Sequence, residues 1–562
     1  MEAYDIKKSY GDRLLFSLPE LKIFSGDRIG IVGANGAGKS TLMHILSGEL
    51  PPDEGYRKLY CETSSIRQFS EELAEGSPKL LSEFSLGGKT ERDSLSGGEQ
   101  TRVKITNALS RDSGLLFADE PTSNLDREGI ELLYQKLSRI ESLVLISHDR
   151  DLLDKLCNRI LEIQDGEIPQ YKGNYSAYRE QRQQQNAFKI FEYEQYTAEK
   201  ARLENAAAGT KARARSIRKA PKRMGNAEAR LHRRSSTEIQ EKLNASAKAI
   251  QSRLDQLEVK ERPRDLPKVK LDYSLTDPPR NRTVINGVNL SFAYGANVLF
   301  HQTNFTVEGN AKTALIGNNG AGKTTLLNLI CRLAASDDLP AADRGNNAAQ
   351  FPGVVQSGSI TTVPKARLGY FHQGFENLDP RKSVLDHVLA ESVQSHNTAR
   401  MVLAGLLFRG DDVYKSVSLL SGGEKVKLSL AMLLTSGANV LLLDEPTNFL
   451  DIESIEAVQS LLSDYEGTVC FVSHDRAFVD GIADRLLIVE NKSLFAFEGN
   501  LSAYEAHTAA RILAEAAPDT PARLALEMRL SKIAADMSLP AADMPSLEKE
   551  YAETLAQLRQ TE

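Results

Sequence analysis

The segments Gly33-Ala34-Asn35-Gly36-Ala37-Gly38-Lys39-Ser40 and Gly317-Asn318-Asn319-Gly320-Ala321-Gly322-Lys323-Thr324 lie 284 residues apart and share the pattern Gly-x-x-x-x-Gly-Lys-Ser/Thr. Glycines in such a loop let backbone N–H groups curl around a phosphate at a helix N-terminus, where the peptide dipoles already favour an anion. Lys39 and Lys323 would then reach the β- and γ-phosphates of ATP, with Ser40 and Thr324 presenting hydroxyls to Mg²⁺. Thr41 and Thr325 follow in the same loops and join the nucleotide-contacting set. Downstream come Leu95-Ser96-Gly97-Gly98-Glu99-Gln100 and Leu420-Ser421-Gly422-Gly423-Glu424-Lys425, then Asp119-Glu120 and Asp444-Glu445, then Ser147-His148-Asp149 and Ser473-His474-Asp475. The step from Leu95 to Asp119 and from Leu420 to Asp444 is 24 residues in both halves. Asp119 and Asp444 are the residues expected to hold the metal, together with Ser40 and Gln68 in one site and Thr324 and Gln373 in the other. Glu120 and Glu445 follow directly, placed to orient or deprotonate the attacking water. His148 and His474 are expected at the γ-phosphate, which completes two hydrolytic sets with Gln68 and Gln373.

These residues need elements that hold them. Arg28–Val32 and Thr313–Ile316 read as apolar strands running into the phosphate loops, each followed by a helix. Asp119 and Asp444 end further buried hydrophobic strands. The alternation of strand and helix defines an α/β fold built twice. The Ser-Gly-Gly segments open helices, with Ser96 and Ser421 as donors and Gly97, Gly98, Gly422 and Gly423 allowing close approach to a phosphate.

Composition sets the remaining bounds. The 562 residues suffice for several domains, with 41% hydrophobic and 26% charged residues as in a soluble globular chain. No apolar run is long enough to span a bilayer, and the N-terminus lacks the blocks of a signal peptide. Cys61, Cys157, Cys331 and Cys470 form no Cys-x-x-Cys pair, which speaks against zinc, iron–sulfur clusters and disulfides and suits the cytoplasm. The net charge of −7 hides a local reversal, since Lys211–Arg234 holds ten Lys or Arg and one acid, Glu228.

Together these motifs resemble the ATP-binding cassette (ABC) superfamily, across both halves. The resemblance implies that each signature closes the other half's ATP site: Ser421, Gly422 and Gly423 over Lys39, and Ser96, Gly97 and Gly98 over Lys323. The chain would be a monomer acting as its own head-to-tail dimer. Tyr10 and Tyr294, each 23 residues before its loop, would stack on adenine. Only 27 residues separate Gln68 from Leu95, against 47 from Gln373 to Leu420, so the first helical subdomain, which grips a membrane partner in transporters, is very short. A charged stretch of about a hundred residues joins the cassettes, entered through Gly173-Asn174-Tyr175-Ser176-Ala177-Tyr178 and echoed by Gly499-Asn500-Leu501-Ser502-Ala503-Tyr504. This pattern is similar to the ABC-F group of translation factors. Lys219–His232 looks like that group's antibiotic-resistance branch, of the Vml and Vga type.

The expected organisation is an ATPase domain over 1–178, a helical linker over 179–282, a second ATPase domain over 283–510 and a C-terminal helical hairpin over 511–562. In the linker, Ile239, Leu243, Ala247, Ile250, Leu254 and Leu257 form one apolar stripe. Ser235 and Glu238 read as a capping box, giving a second helix from about Ser236 to Glu261. Gly209, Pro221 and Gly225 are expected to break the first arm, which would start near Ser176 and run into Ala201–Leu203. The tip then falls at Leu231–Ser236, with Leu231, His232, Arg233 and Arg234 nearest a drug, and an earlier turn near Gly209 is the rival. Two C-terminal stripes, Leu526, Leu530, Ile533 and Met537, then Leu547, Tyr551, Leu555 and Leu558, are separated by Pro540 and Pro545. Leu333–Gln356 reads as a flexible surface insertion. The resemblance implies a partner, the bacterial 70S ribosome with its rRNA and P-site tRNA, entered from the E site. It also implies relief of lincosamides, pleuromutilins and streptogramin A at the peptidyl-transferase centre. A housekeeping factor acting on stalled ribosomes and a tandem importer ATPase remain the alternatives.

Overall fold

The computed structural model describes residues 1–560 apart from 12, 68–96, 111–112, 124, 126, 217–225, 261–268, 270, 335–353, 372–377, 517–525, 527–528, 534–536 and 538–543. In the first half, β1 (Glu2–Tyr10), β2 (Arg13–Lys22) and β4 (Glu54–Lys58) make an antiparallel sheet in the order β2-β1-β4. Beneath it lies a six-stranded sheet in the order β5-β6-β7-β3-β8-β9, from β3 (Arg28–Gly33), β5 (Thr63–Ile66), β6 (Leu115–Asp119), β7 (Leu143–Ile146), β8 (Arg159–Ile163) and β9 (Gln170–Lys172). The second half repeats both. Its antiparallel sheet runs β11-β10-β13, from β10 (Thr283–Tyr294), β11 (Asn297–Glu308) and β13 (Val354–Thr362). Its larger sheet runs β14-β15-β16-β12-β17-β18, from β12 (Lys312–Ile316), β14 (Leu368–Phe371), β15 (Val440–Asp444), β16 (Thr468–Val472), β17 (Arg485–Glu490) and β18 (Ser493–Glu498).

The central strands are parallel, for example β3 with β7 and β8, and only the outermost pairs β8–β9 and β17–β18 run antiparallel. Covered on both faces, such strands must be apolar throughout, and every residue of β6 and β15 is buried. That includes Asp119 and Asp444 at their C-terminal ends, where an open parallel sheet presents ligand-binding groups. Val354, Val355 and Gln356, expected in a flexible insertion, instead open β13, and Leu333 and Ala334 close the preceding helix.

Both cassettes finish in the same way. Asn174 and Asn500 accept hydrogen bonds from the backbone N–H of Ala177 and Ala503 at 3.1 and 3.0 Å. Asp154 and Asp480 accept from Ser176 and Ser502 at 2.7 and 2.8 Å. These acceptors satisfy N–H groups left orphaned at a helix start and launch a long helix from each cassette.

The first of those helices runs unbroken from Tyr175 to Ser216, 42 residues, and packs against a second helix from Asn226 to Asp255. At 1.5 Å per residue the first arm spans about 63 Å. Three sequence expectations are corrected here. Gly209 does not end the arm, because the helix passes through it and a Cβ there would touch nothing. The second arm starts at Asn226 and not at Ser235, so the Ser235/Glu238 pair is internal to a helix. Leu231, His232, Arg233 and Arg234 therefore lie within that helix, and the connection between the arms falls in 217–225, outside the described residues. A glycine inside a helix costs about 1 kcal/mol, which a helix of this length accommodates. Leu203, Ala207 and Ala214 on one arm and Ala247 on the other are buried, while Leu243, Ile250 and Leu254 are half-buried beside them. Ile239, placed on the same stripe, is 51% exposed, and Leu257 lies past the helix end.

Near the C-terminus a helix runs from Met544 to Gln560, and Arg529 ties the preceding segment to it through Glu550 at 2.8 Å. Pro545 belongs to that helix's first turn, where its missing N–H removes no bond. Ile533 and Thr554 are buried, whereas Tyr551 of the expected stripe is 37% exposed.

Candidate active site

The phosphate loops owe their shape to glycine at few points. Gly36, Gly38, Gly320 and Gly322 take φ of 76°, 102°, 78° and 101°, in the left-handed region that other residues resist. Gly33 and Gly317 are needed for space as well, since a Cβ would stand 2.7 Å from the carbonyl oxygens of Ile163 and Val489. Lys39 is buried and folds back on its loop, donating to the carbonyl oxygens of Gly33 at 2.8 Å and Ala34 at 3.1 Å. Lys323 repeats the arrangement with Gly317 at 2.7 Å and Asn318 at 3.1 Å. Burial lowers the pKa of Lys39 below its ordinary value, against the pull of nearby carboxylates.

At the strand ends, Thr324 Oγ1 donates to Asp444 Oδ1 at 3.0 Å, and the Ser40 hydroxyl lies close enough to Asp119 to oppose the rise that burial gives its pKa. A hydroxyl and a carboxylate converging beside a phosphate loop are the hard oxygen donors that Mg²⁺ takes, so these residues fit the ion. Gln68 and Gln373, expected to complete the set, lie outside the described residues, as does Ser96.

The next residue on each strand departs from regular geometry. Glu120 and Glu445 have φ of 48° and 50°, a left-handed backbone that costs on the order of 1–3 kcal/mol for a residue with a side chain. The turn swings each carboxylate under the following histidine. Glu120 Oε2 accepts from the His148 N–H at 3.4 Å, and Glu445 Oε2 from that of His474 at 3.2 Å. The ring Nε2 of each histidine stands 3.3 Å from the other oxygen, Oε1, without hydrogen-bond alignment. Each pair thus keeps one buried carboxylate oxygen without a hydrogen-bond partner. Burial pushes Glu120 up to about 8, with Lys39 opposing, and Glu445 up to about 7. Burial and the Lys39 charge bring His148 down to about 4, so it is neutral at physiological pH. A neutral imidazole beside a carboxylate of raised pKa can pass or hold a proton, which is what an attacking water requires.

Tyr10 leaves its ring 59% exposed at the end of β1, open to stacking. Tyr294 is half-buried, edge-on to Phe292 with centroids 5.0 Å apart, and its hydroxyl is 3.4 Å from Thr325 Oγ1.

The Lys39 loop also meets the second cassette. The backbone N–H of Asn35 donates to Asp451 Oδ2 at 2.7 Å, and Asn35 Nδ2 donates to the Phe449 carbonyl at 2.8 Å. Gly423 sits so close that a Cβ would approach the Phe449 carbonyl to 2.5 Å and Asn35 Nδ2 to 3.3 Å. Ser421 caps the signature helix in a reciprocal capping box with Glu424. Ile452 is buried among first-cassette core residues. The signature of the second half therefore stands at the phosphate loop of the first. For the Lys323 loop, Gly97 and Gly98 open a helix as expected. Sequence reasoning missed Asp451 and Phe449. Asp451 accepts from Ser454 N at 2.8 Å as the cap of the next helix, and burial would raise its pKa but these hydrogen bonds hold it below the carboxylate range. The signal was legible in principle, as an aspartate six residues after each of Glu120 and Glu445.

Two sheets per half, two phosphate loops and two Glu–His pairs define a tandem ATP-binding-cassette ATPase. Residues 18–79, 62–123 and 300–448 match the family model described as ABC transporter. The chain is 32% identical over 507 residues to the erythromycin resistance ATP-binding protein MsrA of Staphylococcus epidermidis, spanning 86% of this chain and 97% of that one. It is 30% identical over 506 residues to the ribosome protection protein VmlR of Bacillus subtilis, spanning 88% and 86%. Among solved structures it is similar to RNase-L Inhibitor, with a TM-score of 0.59 at 21% identity over 90% of this chain and 93% of that one, a likeness of fold. The chain belongs to the ABC-F family of ATPases. Among the described residues no helix is long and apolar enough to cross a membrane.

Proposed function

We propose that this ATPase binds the bacterial 70S ribosome in its ATP-bound state, enters the E site beside P-site tRNA, and relieves antibiotic inhibition at the peptidyl-transferase centre. The drugs it relieves are lincosamides, pleuromutilins and streptogramin A. The observation that carries this reading is the hairpin of Tyr175–Ser216 and Asn226–Asp255, long enough to reach far beyond the cassettes and strongly basic over Lys211–Arg234. Lys and Arg in such a segment neutralise rRNA phosphates and release their counterions. The names of the two relatives, ribosome protection and erythromycin resistance, support the same reading.

In this reading ATPase domains over 1–178 and 283–510 flank the linker, with 511–562 as a C-terminal extension, and the protein works as a cytoplasmic monomer. ATP stacks on Tyr10 and Tyr294 and lies along the two phosphate loops. Mg²⁺, held by Ser40, Asp119 and Gln68 or by Thr324, Asp444 and Gln373, would offset phosphate charge. Glu120 and Glu445 orient the water, and His148 and His474 hold those carboxylates and face the γ-phosphate. Ser421, Gly422 and Gly423 close the Lys39 site, and Ser96, Gly97 and Gly98 the Lys323 site.

Minimum inhibitory concentrations for a drug panel in a sensitive host carrying this chain test the reading. Raised values for the three named classes support it. Ribosome binding with no change for any drug would point to a general translation factor, and membrane association without ribosome binding to a transporter subunit.

A further inference from the structure

The two halves agree motif by motif, yet one charge is reversed where each cassette hands over to its terminal helix. Arg179 lies six residues past Gly173, and the equivalent position, six past Gly499, is Glu505. The other members of the group are matched: Arg150 with Arg476, each two residues past its histidine, and Glu131 with Glu456, each eleven past Glu120 or Glu445.

The reversal redirects the ion pairs. Glu456 of the second cassette reaches across to Arg179 at 3.2 Å and Arg150 at 3.8 Å, both in the first half. Arg150 is buried, its Nε and Nη2 find no hydrogen-bond acceptor, and its charge is offset by Glu456 together with the nearby Asp475 carboxylate. On the other side Arg476 instead pairs within its own cassette, with Glu505. Glu456 sits five residues past Asp451 on the helix Ile452–Asp464, about 7.5 Å along a rigid rod from the group that holds Asn35. Arg179 belongs to the first turns of the hairpin, and Arg182, one turn on, is fixed to the first cassette by Glu162 at 2.6 Å.

We propose that Glu456 is a positioning residue that couples closure of the Lys39 site to the set of the hairpin through Arg179, and that the Lys323 site lacks this coupling. The hairpin is anchored to the first cassette by Arg182, and the Asp451 helix carries Glu456 against Arg179 whenever Asp451 seats on Asn35. One ATP site therefore governs the hairpin more tightly than the other. This rests on the hairpin being the working arm of the proposed function.

Spin labels on Lys200→Cys and Glu466→Cys, both exposed positions, in the full chain with Cys61→Ser and Cys331→Ser, report the hairpin relative to the second cassette. With ATP the unaltered network should give one narrow distance distribution. Glu456→Gln and Arg179→Ala should each broaden it, the double variant no further, while Glu131→Gln and Glu505→Gln leave it narrow. Basal ATPase should hold, and the ribosome-stimulated rate should fall about fivefold. An unchanged distribution in Arg179→Ala, or equal broadening in Glu131→Gln, overturns the proposal. The distance measurement uses no ribosome, so absence of ribosome stimulation in the parent chain would count against the functional reading alone.

Discussion

At the scale of single residues, the proposed function assigns hydrolysis to the two Glu–His pairs. Replacing Glu120 and Glu445 by Gln preserves size and hydrogen bonding but removes the base. Steady-state phosphate release should fall by roughly 10²–10³-fold while ATP binding persists. A rate equal to that of the parent chain would remove these residues from the site. The same variant carries a pH signature. Folding raises Glu120 to about 8 and Glu445 to about 7, so the folded state binds more protons than the unfolded chain between the ordinary value of 4.5 and those values. These two groups therefore lower stability as pH rises through that window. His148, held to about 4, acts oppositely but only below its ordinary 6.5. Melting of the nucleotide-free protein in chelator should show the Gln variant gaining on the parent chain between pH 6.5 and 8. A constant gap would mean that neither carboxylate is desolvated.

At the scale of elements, the hairpin stands on small residues where its arms touch. Ala247 is 3% exposed and Ala207 8%, so a larger side chain must push the helices apart. Ala247→Leu should cost about 1–3 kcal/mol of hairpin stability, read as faster proteolysis of the arms with ATPase intact. Ile239→Asp, on the outer part of the same stripe, should be tolerated because that side chain is already half in water. The helix start at Asn226 also moves the expected drug contact. Leu231 and His232 lie more than a turn inside the second arm, so their replacement by Ala should alter resistance less than changes across Arg218–Gly225. Greater loss from the Leu231/His232 variant, measured as inhibitory concentrations, would return the contact to the helix.

For the whole molecule, charge segregation matters more than the net value. A chain of net charge −7 should still bind ribosomes if its basic residues are gathered on the arm. Changing Arg213, Arg215, Arg218 and Lys222 to Glu should weaken ribosome pelleting and flatten its salt dependence, leaving basal ATPase in place. Pelleting at parental levels across salt would mark the segment as a merely solvated face.

The phosphate loops, the buried strands ending in Asp119 and Asp444, and the repeat of Gly173–Tyr178 at Gly499–Tyr504 were legible in the sequence because each is set by local rules. Glycine φ, an unbroken apolar run and a side-chain cap depend on few neighbours. The limits of the second arm were not legible. Ser235 and Glu238 satisfy a helix-start pattern, but nothing local tells a start from an interior, and the helix begins earlier, at Asn226. The left-handed backbone at Glu120 and Glu445 likewise had no local signal, since glutamate has no preference for it and the surrounding strands must enforce it. The contact of Asn35 with Asp451 and of Glu456 with Arg179 joins residues hundreds of positions apart. The sequence by itself determined the two nucleotide sites and the chemistry of each; the tertiary structure alone decided how one half is set against the other, because that depends on surfaces meeting, which no spacing along the chain encodes.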